Sequence, residues 1–267
     1  MKKLIFILFL IIGSFIILEL LKSNNKFNFN NKISPPLPSK ILEATPTIEL
    51  PDKESIDIDF NGTLLRASWI KITDNKTISL HPNFKEKLSA SEFKKQQNCK
   101  NVISAGFYDK NDNPLGLLII NGYEWRQKIE SNFLNGIFYL AEDETINIQR
   151  EIPNKKMLIA LQSGPLLYEN GMPFALKIIE DKKARRIVLA INKKEEIFFI
   201  ALYDKESRLL GPLLADLPSI IGIFGEKINE EFLTVLNLDG GTASVFYSEN
   251  ISLPELSSVG SFFCITQ

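Results

Sequence analysis

The sequence predicts an α+β domain, a strand-rich mixed sheet with a few covering helices, preceded by one N-terminal transmembrane helix. Three observations carry that reading. An apolar run occupies Leu4 to Leu21, broken only by Gly13, Ser14 and Glu19. Past residue 51 the chain falls into short apolar runs rich in β-branched residues, each ended by Gly, Asn, Asp or Pro, as strands joined by tight turns are. Two stretches, Asn83 to Asn98 and Gly211 to Phe224, change to a helical spacing.

Residues 1–22 are expected to form a membrane anchor or a signal segment. At ~1.5 Å per helical residue the apolar run nearly spans a bilayer core of ~30 Å. Lys2 and Lys3 precede it, which favours a cytoplasmic N-terminus and an extracytoplasmic body. The run passes into Lys22, Ser23 and Asn24 without a small-residue cleavage pattern, so a single-pass anchor is expected, with secretion after signal cleavage as the alternative. Residues 23–51 are rich in Asn, Lys, Ser and Pro and read as a disordered linker. Residues 52–267 form the folded domain.

Across all 267 residues, 45% are hydrophobic, and 31 basic against 32 acidic side chains leave a formal net charge of -1. That supports one sizeable core and no field that would attract nucleic acid. Cys99 and Cys264 are the only thiols; a disulfide and two buried free thiols are both compatible with their number.

Within the domain, "IDIDF" (Ile56 to Phe60), "LLRASWIKI" (Leu64 to Ile72) and "TISL" (Thr77 to Leu80) read as strands. In Asn83 to Asn98, Phe84, Leu88 and Phe93 recur among charges, as on an amphipathic helix. The runs "NVISAGFYD", "PLGLLIINGYEW", "GIFYLAED" and "MLIALQSGPLLYENG" follow as strands and turns. Ile187 to Ile191 and Ile197 to Tyr203 flank a charged connection and read as a hairpin. Pro218 is expected to interrupt the second helical stretch.

"FLTVLNLDGG" reads as a buried strand that delivers Asp239 to its end. Gly240 and Gly241 permit positive φ and close approach of an anion to backbone N–H groups, and Thr242 and Ser244 add hydroxyls beside them. A hairpin turn at Asp239, Gly240 and Gly241 is the plainer reading. No Gly-Lys-Ser/Thr run follows, as a P-loop requires. His81, the sole histidine, precedes a helix and reads as turn chemistry; one His and two separated Cys leave too few ligands for a zinc site.

Four segments in order, "ISAGFYDKNDNPLGLLIING" (Ile103 to Gly122), "LQSGPLLYENG" (Leu161 to Gly171), "RIVLAI" (Arg186 to Ile191) and "LNLDGGTAS" (Leu236 to Ser244), resemble the phosphodiester glycosidase family. The resemblance implies that Asp239 is the principal catalytic carboxylate, with Asp109 as the candidate second one. It further implies that Ser104, Gly106, Tyr108, Gln162, Gly164, Arg186, Asn237, Gly240, Gly241, Thr242 and Ser244 line a sugar-phosphate pocket. Departures from the family pattern are Ser104 for Asn, Ala105 for Gly, Ala190 for Gly, and Thr242 and Ala243 in the glycine-serine run.

The expected activity is hydrolysis of a glycosyl phosphodiester in an exported glycan, glycolipid or wall polymer. The alternative is a degenerate relative that binds an anionic glycan without cleaving it. The expected partners are that carbohydrate and, through the N-terminal helix, a membrane. The sequence assigns no metal and leaves the cofactor unknown.

Overall fold

The computed structural model describes residues 54–266. The apolar run and the linker expected at residues 1–51 lie outside them, and no described helix is long and apolar enough to cross a membrane. In chain order the strands are β1 (Ser55–Phe60), β2 (Thr63–Ile72), β3 (Ile78–Pro82), β4 (Asn101–Ser104), β5 (Leu118–Ile120), β6 (Tyr123–Arg126), β7 (Gly136–Ala141), β8 (Ile146–Gln149) and β9 (Met157–Ser163). They continue as β10 (Leu166–Glu169), β11 (Met172–Pro173), β12 (Arg186–Asn192), β13 (Ile197–Asp204), β14 (Phe232–Asn237), β15 (Phe246–Tyr247), β16 (Ser252–Leu253) and β17 (Ser261–Ile265). Helix α1 spans Ala90–Gln96 and helix α2 spans Leu217–Ile228.

The strand-rich α+β reading holds, and the strands divide into three sheets. The first has the order β1-β2-β13-β12-β14-β10-β11, the second β16-β15-β4-β17-β3, and the third β6-β5-β9-β7-β8. Neighbouring strands run antiparallel, as in the expected β12–β13 hairpin, where Ile191 faces Ile197. The Asn192 side chain closes its turn by accepting from the Lys194 and Glu196 N–H groups.

Side-chain alternation explains how these strands can be apolar throughout. Phe199, Ala201 and Tyr203 of β13 point into a core enclosed by all three sheets, while Phe198, Ile200 and Leu202 point the other way, towards α2. A strand covered on both faces needs apolar residues at every position. Ile220, Ile221 and Phe224 of α2 complete that outer layer, and Phe93 of α1 packs with Val102 and Phe262 over the second sheet. All four buried clusters draw on residues between Ile58 and Ile265, and chain contacts group Glu49–Gln267 as one compact unit. The body therefore holds its own complete core.

Two helix boundaries differ from expectation. The first helix starts at Ser89, because the Asn83 side chain accepts from Leu88 N and donates to Leu88 O and Val259 O, folding 83–88 into a loop. Ser89 and Glu92 then form a capping box. Pro218 does not interrupt α2 but lies in its first turn, where the missing N–H has no intrahelical partner to lose.

Cys99 and Cys264 form a disulfide, with Cα atoms 5.4 Å apart. It ties the approach to β4, the central strand of the second sheet, to the neighbouring strand β17.

Candidate active site at a three-sheet corner

Three of the four motif segments are crossovers between sheets. The segment after β4 passes from the second sheet to the third and carries Gly106, Tyr108 and Asp109. The segment after β9 passes from the third to the first and contains Gly164 and Pro165. The segment after β14 returns from the first to the second and contains Asp239, Gly240 and Gly241. The Asp-Gly-Gly stretch is thus no hairpin, since β14 and β15 belong to different sheets.

Hydrogen bonds gather the crossovers at one corner. Asn237 N donates to Pro165 O at 3.1 Å, and its Nδ2 donates to Gly164 O at 2.8 Å. Ser163 Oγ donates to Asn237 O at 2.7 Å. Asp239 N donates to Ala105 O at 3.1 Å, and Leu238 N donates to Ile187 O beside Arg186. Gly164 is required here, because a Cβ would run into Phe133 O.

Most of the polar residues expected around the ligand are buried struts. Ser104 has no exposed surface; its Oγ donates to Asp239 O at 3.3 Å and accepts from Val245 N at 3.1 Å. Gln162 accepts from Leu117 N and Ile129 N through Oε1 and donates to Ile129 O and Leu134 O through Nε2. That set fills its amide's capacity. Gly106 is buried against Leu161. Ser244 Oγ, also buried, donates to Gly241 O and accepts from Arg185 Nε. Asn237 is buried as well, and its Oδ1 has no hydrogen-bond partner.

The side chains that do adjoin one another at the solvent boundary of the corner are Asp239, Tyr108 and Thr242, together with Ser257, which the motifs do not contain. Asp239 keeps a partial opening to solvent, yet desolvation pushes its carboxyl up to about 7, opposed only by the Gly240 N–H. The Tyr108 phenol is pushed up by burial and then by the Asp239 charge, while its hydrogen bond with Ser257 acts the other way. The Tyr108 ring lies against Gly260, where a Cβ would approach Cδ1 to 2.6 Å. Ser257 Oγ donates to Thr242 Oγ1 at 3.0 Å, and Leu256 N and Ser257 N both donate to Thr242 O.

The glycine loop differs from the expected anion cradle. Gly240 N–H is directed to the Asp239 carboxyl, and Gly241 N–H donates to Arg185 O at 2.8 Å. Gly240 is needed for close approach, since a Cβ would stand 2.8 Å from Arg185 O, and Gly241 has φ +65°.

Arg186 runs beside Gly240, with Nε donating to Pro212 O and Nη2 to Lys182 O and Asp181 Oδ1. Asp181 in turn accepts from Leu214 N and Ala215 N. Arg185, 1% exposed, donates to Ser244 Oγ, Ser244 O, Pro254 O and Arg208 O. These acceptors compensate a charge that has no carboxylate in direct contact.

Asp109 is placed differently from Asp239. Its Oδ1 accepts from Asn111 N and Asn113 N and its Oδ2 from Asn113 Nδ2, and these bonds hold its carboxyl below the usual range. It shapes its own loop. A cavity of about 870 Å³ lies elsewhere, around Phe232, Glu226 and Lys193, at the opposite end of β14 from Asp239.

Sequence reasoning missed Ser257, Asp181 and Arg185. Asp181 and Arg185 sit in "EDKKARR" and Ser257 in "LPELSS", polar stretches that carry no local signal of burial.

The corner thus defines an antiparallel, three-sheet domain with one desolvated carboxylate where its crossovers meet. The phosphodiester glycosidase family model matches residues 97–265, and the chain belongs to that family. It is 33% identical over 124 residues to the uncharacterized protein YigE of Escherichia coli (strain K12), covering 41% of this chain and 47% of that protein. The chain therefore spans about half the length of this curated relative. The fold is similar to the catalytic domain of zebrafish N-acetylglucosamine-1-phosphodiester alpha-N-acetylglucosaminidase, auto-inhibited by its pro-peptide, with TM-score 0.63, 13% identity and coverage of 80% of this chain and 81% of that one. It is also similar to a hypothetical protein from Synechocystis, with TM-score 0.61, 14% identity and coverage of 79% and 61%.

Proposed function

We propose that this protein hydrolyses a glycosyl phosphodiester, with Asp239 as the carboxylate that acts at the anomeric carbon. The observation that carries the proposal is a carboxyl that desolvation pushes up to about 7, at the meeting point of the family's motif segments. A phosphate monoester departs without needing much protonation, so one well-placed carboxylate suffices. Asp239 in its ionised form takes a proton from the attacking water or stabilises the oxocarbenium-like transition state. Tyr108 and Thr242, joined through Ser257 beside Asp239, bind the sugar. Arg186, whose Nε and Nη2 are engaged, offers Nη1 to the phosphate. Asp109 acts by holding the loop that carries Tyr108.

The site is proposed to work outside the cytoplasm on a glycan, glycolipid or wall polymer. The apolar run Leu4 to Leu21 supports export and anchoring, and the disulfide supports an oxidising compartment. The internal commitment of both glycine N–H groups favours one further reading, a pocket that binds the glycan without turnover.

The test offers the protein aryl glycosyl phosphodiesters and the matching simple aryl glycosides. Cleavage of the phosphodiesters alone, lost in Asp239→Asn, is the expected result. Saturable binding without cleavage would replace hydrolysis by the binding role, and unchanged turnover in Asp239→Asn would remove Asp239 from the chemistry.

A further inference from the structure

The rim of the Asp239 corner carries exposed leucines and cations on loops held together by one buried arginine. The Arg185 guanidinium donates to Arg208 O on one side and Pro254 O on the other, and its carbonyl accepts from Gly241 N. Immediately beyond those carbonyls stand Leu209 and Leu210, 45% and 47% exposed, and Leu256, 62% exposed. Arg186 fixes the neighbouring strip through Lys182 O and Pro212 O, so exposed Lys182 and Lys183 lie along the same rim as Arg208. On these two strips the exposed cations Lys177, Lys182, Lys183 and Arg208 outnumber the exposed acids Glu180 and Glu206.

We infer that this rim is a membrane-docking surface that seats on a bilayer bearing anionic headgroups and presents the Asp239 opening to a lipid-borne substrate. Leucine side chains raised beside lysines suit the boundary between headgroups and acyl chains, where apolar burial and attraction to anionic lipid add. A soluble polyanion would reward the cations but give no reason to expose three leucines. The inference deepens the proposed hydrolase reading by choosing a lipid-linked glycosyl phosphodiester, and it rests on that reading only for the substrate.

The test uses the body from Glu49 onward, which encloses its whole core, so the apolar N-terminal run contributes nothing. Sedimentation is measured with phosphatidylcholine vesicles and with vesicles that also contain phosphatidylglycerol. The expected result is binding to the mixed vesicles, reduced roughly tenfold or more by Lys182→Glu with Lys183→Glu, and similarly by Leu209→Ser, Leu210→Ser and Leu256→Ser combined. Turnover of a soluble aryl phosphodiester by the leucine variant checks that it remains folded and active. No binding of the unaltered body to either vesicle, or binding that the leucine changes leave intact, would overturn the inference. Asp239→Asn is expected to keep its vesicle binding. If the unaltered body binds vesicles but cleaves no soluble phosphodiester, the hydrolase reading fails and the docking surface stands.

Discussion

Asp239 and Asp109 both lie on crossovers between sheets, yet their surroundings push them in opposite directions. Asp109 collects donors from Asn111 and Asn113 in a partly exposed turn and is held in its ionised form. Asp239 is desolvated, has one opposing N–H donor and is pushed up to about 7. The same side chain fastens a loop in one place and stands desolvated with a single opposing donor in the other. Identity and motif membership did not separate them; solvent access and donor number do.

The sharpest break of the comparison is a pair of amide replacements. Asp239→Asn is expected to lower kcat on the order of 10³-fold or more, against less than roughly fivefold for Asp109→Asn. Equal losses in the two variants would erase the distinction. Between them stands Tyr108→Phe, which removes the hydroxyl bonded to Ser257 beside Asp239 and is expected to cost roughly tenfold in kcat/KM. An unchanged value would remove the phenol from the chemistry.

Titration sharpens the comparison further. If ionised Asp239 is the working form, kcat/KM rises as pH passes through about 7 and then levels off; a flat profile from acid to mildly alkaline pH would exclude that role. Stability has the opposite slope. A carboxyl raised above its unfolded value contributes stability that is full below the ordinary carboxylate pKa and lost as pH rises through the folded one. Asp239→Asn should remove that fall, gaining about 1–3 kcal/mol on the parent between pH 4 and pH 8. Parallel denaturation curves for the two proteins at both pH values would contradict the burial of Asp239.

The strands, the β12–β13 hairpin and the position of Asp239 at a strand end were legible because alternation and turn residues are local signals. The three sheets were not, because a strand buried on both faces shows no polar side to sort it, as Ile197 to Tyr203 illustrate. Nor was the division of the motif residues into struts and lining. Gln162 and Ser104 look like ligand-binding side chains in one dimension, and only partners from distant segments, Leu117, Ile129 and Leu134 for the first and Asp239 and Val245 for the second, reveal them as internal struts. Arg186 was legible only through the family resemblance and Arg185 not at all, although burial desolvates both guanidiniums.

The meeting of three crossovers gives the corner a mechanical property that a pocket floored by one sheet lacks. Its walls belong to different blocks, so their spacing follows the way those blocks tilt on the shared core. A methylene added deep inside, at Phe138 or Phe263, is expected to reach the corner as a change of spacing, with every motif residue intact. The spacing around Asp239 is therefore set partly by the volume of side chains that never reach it.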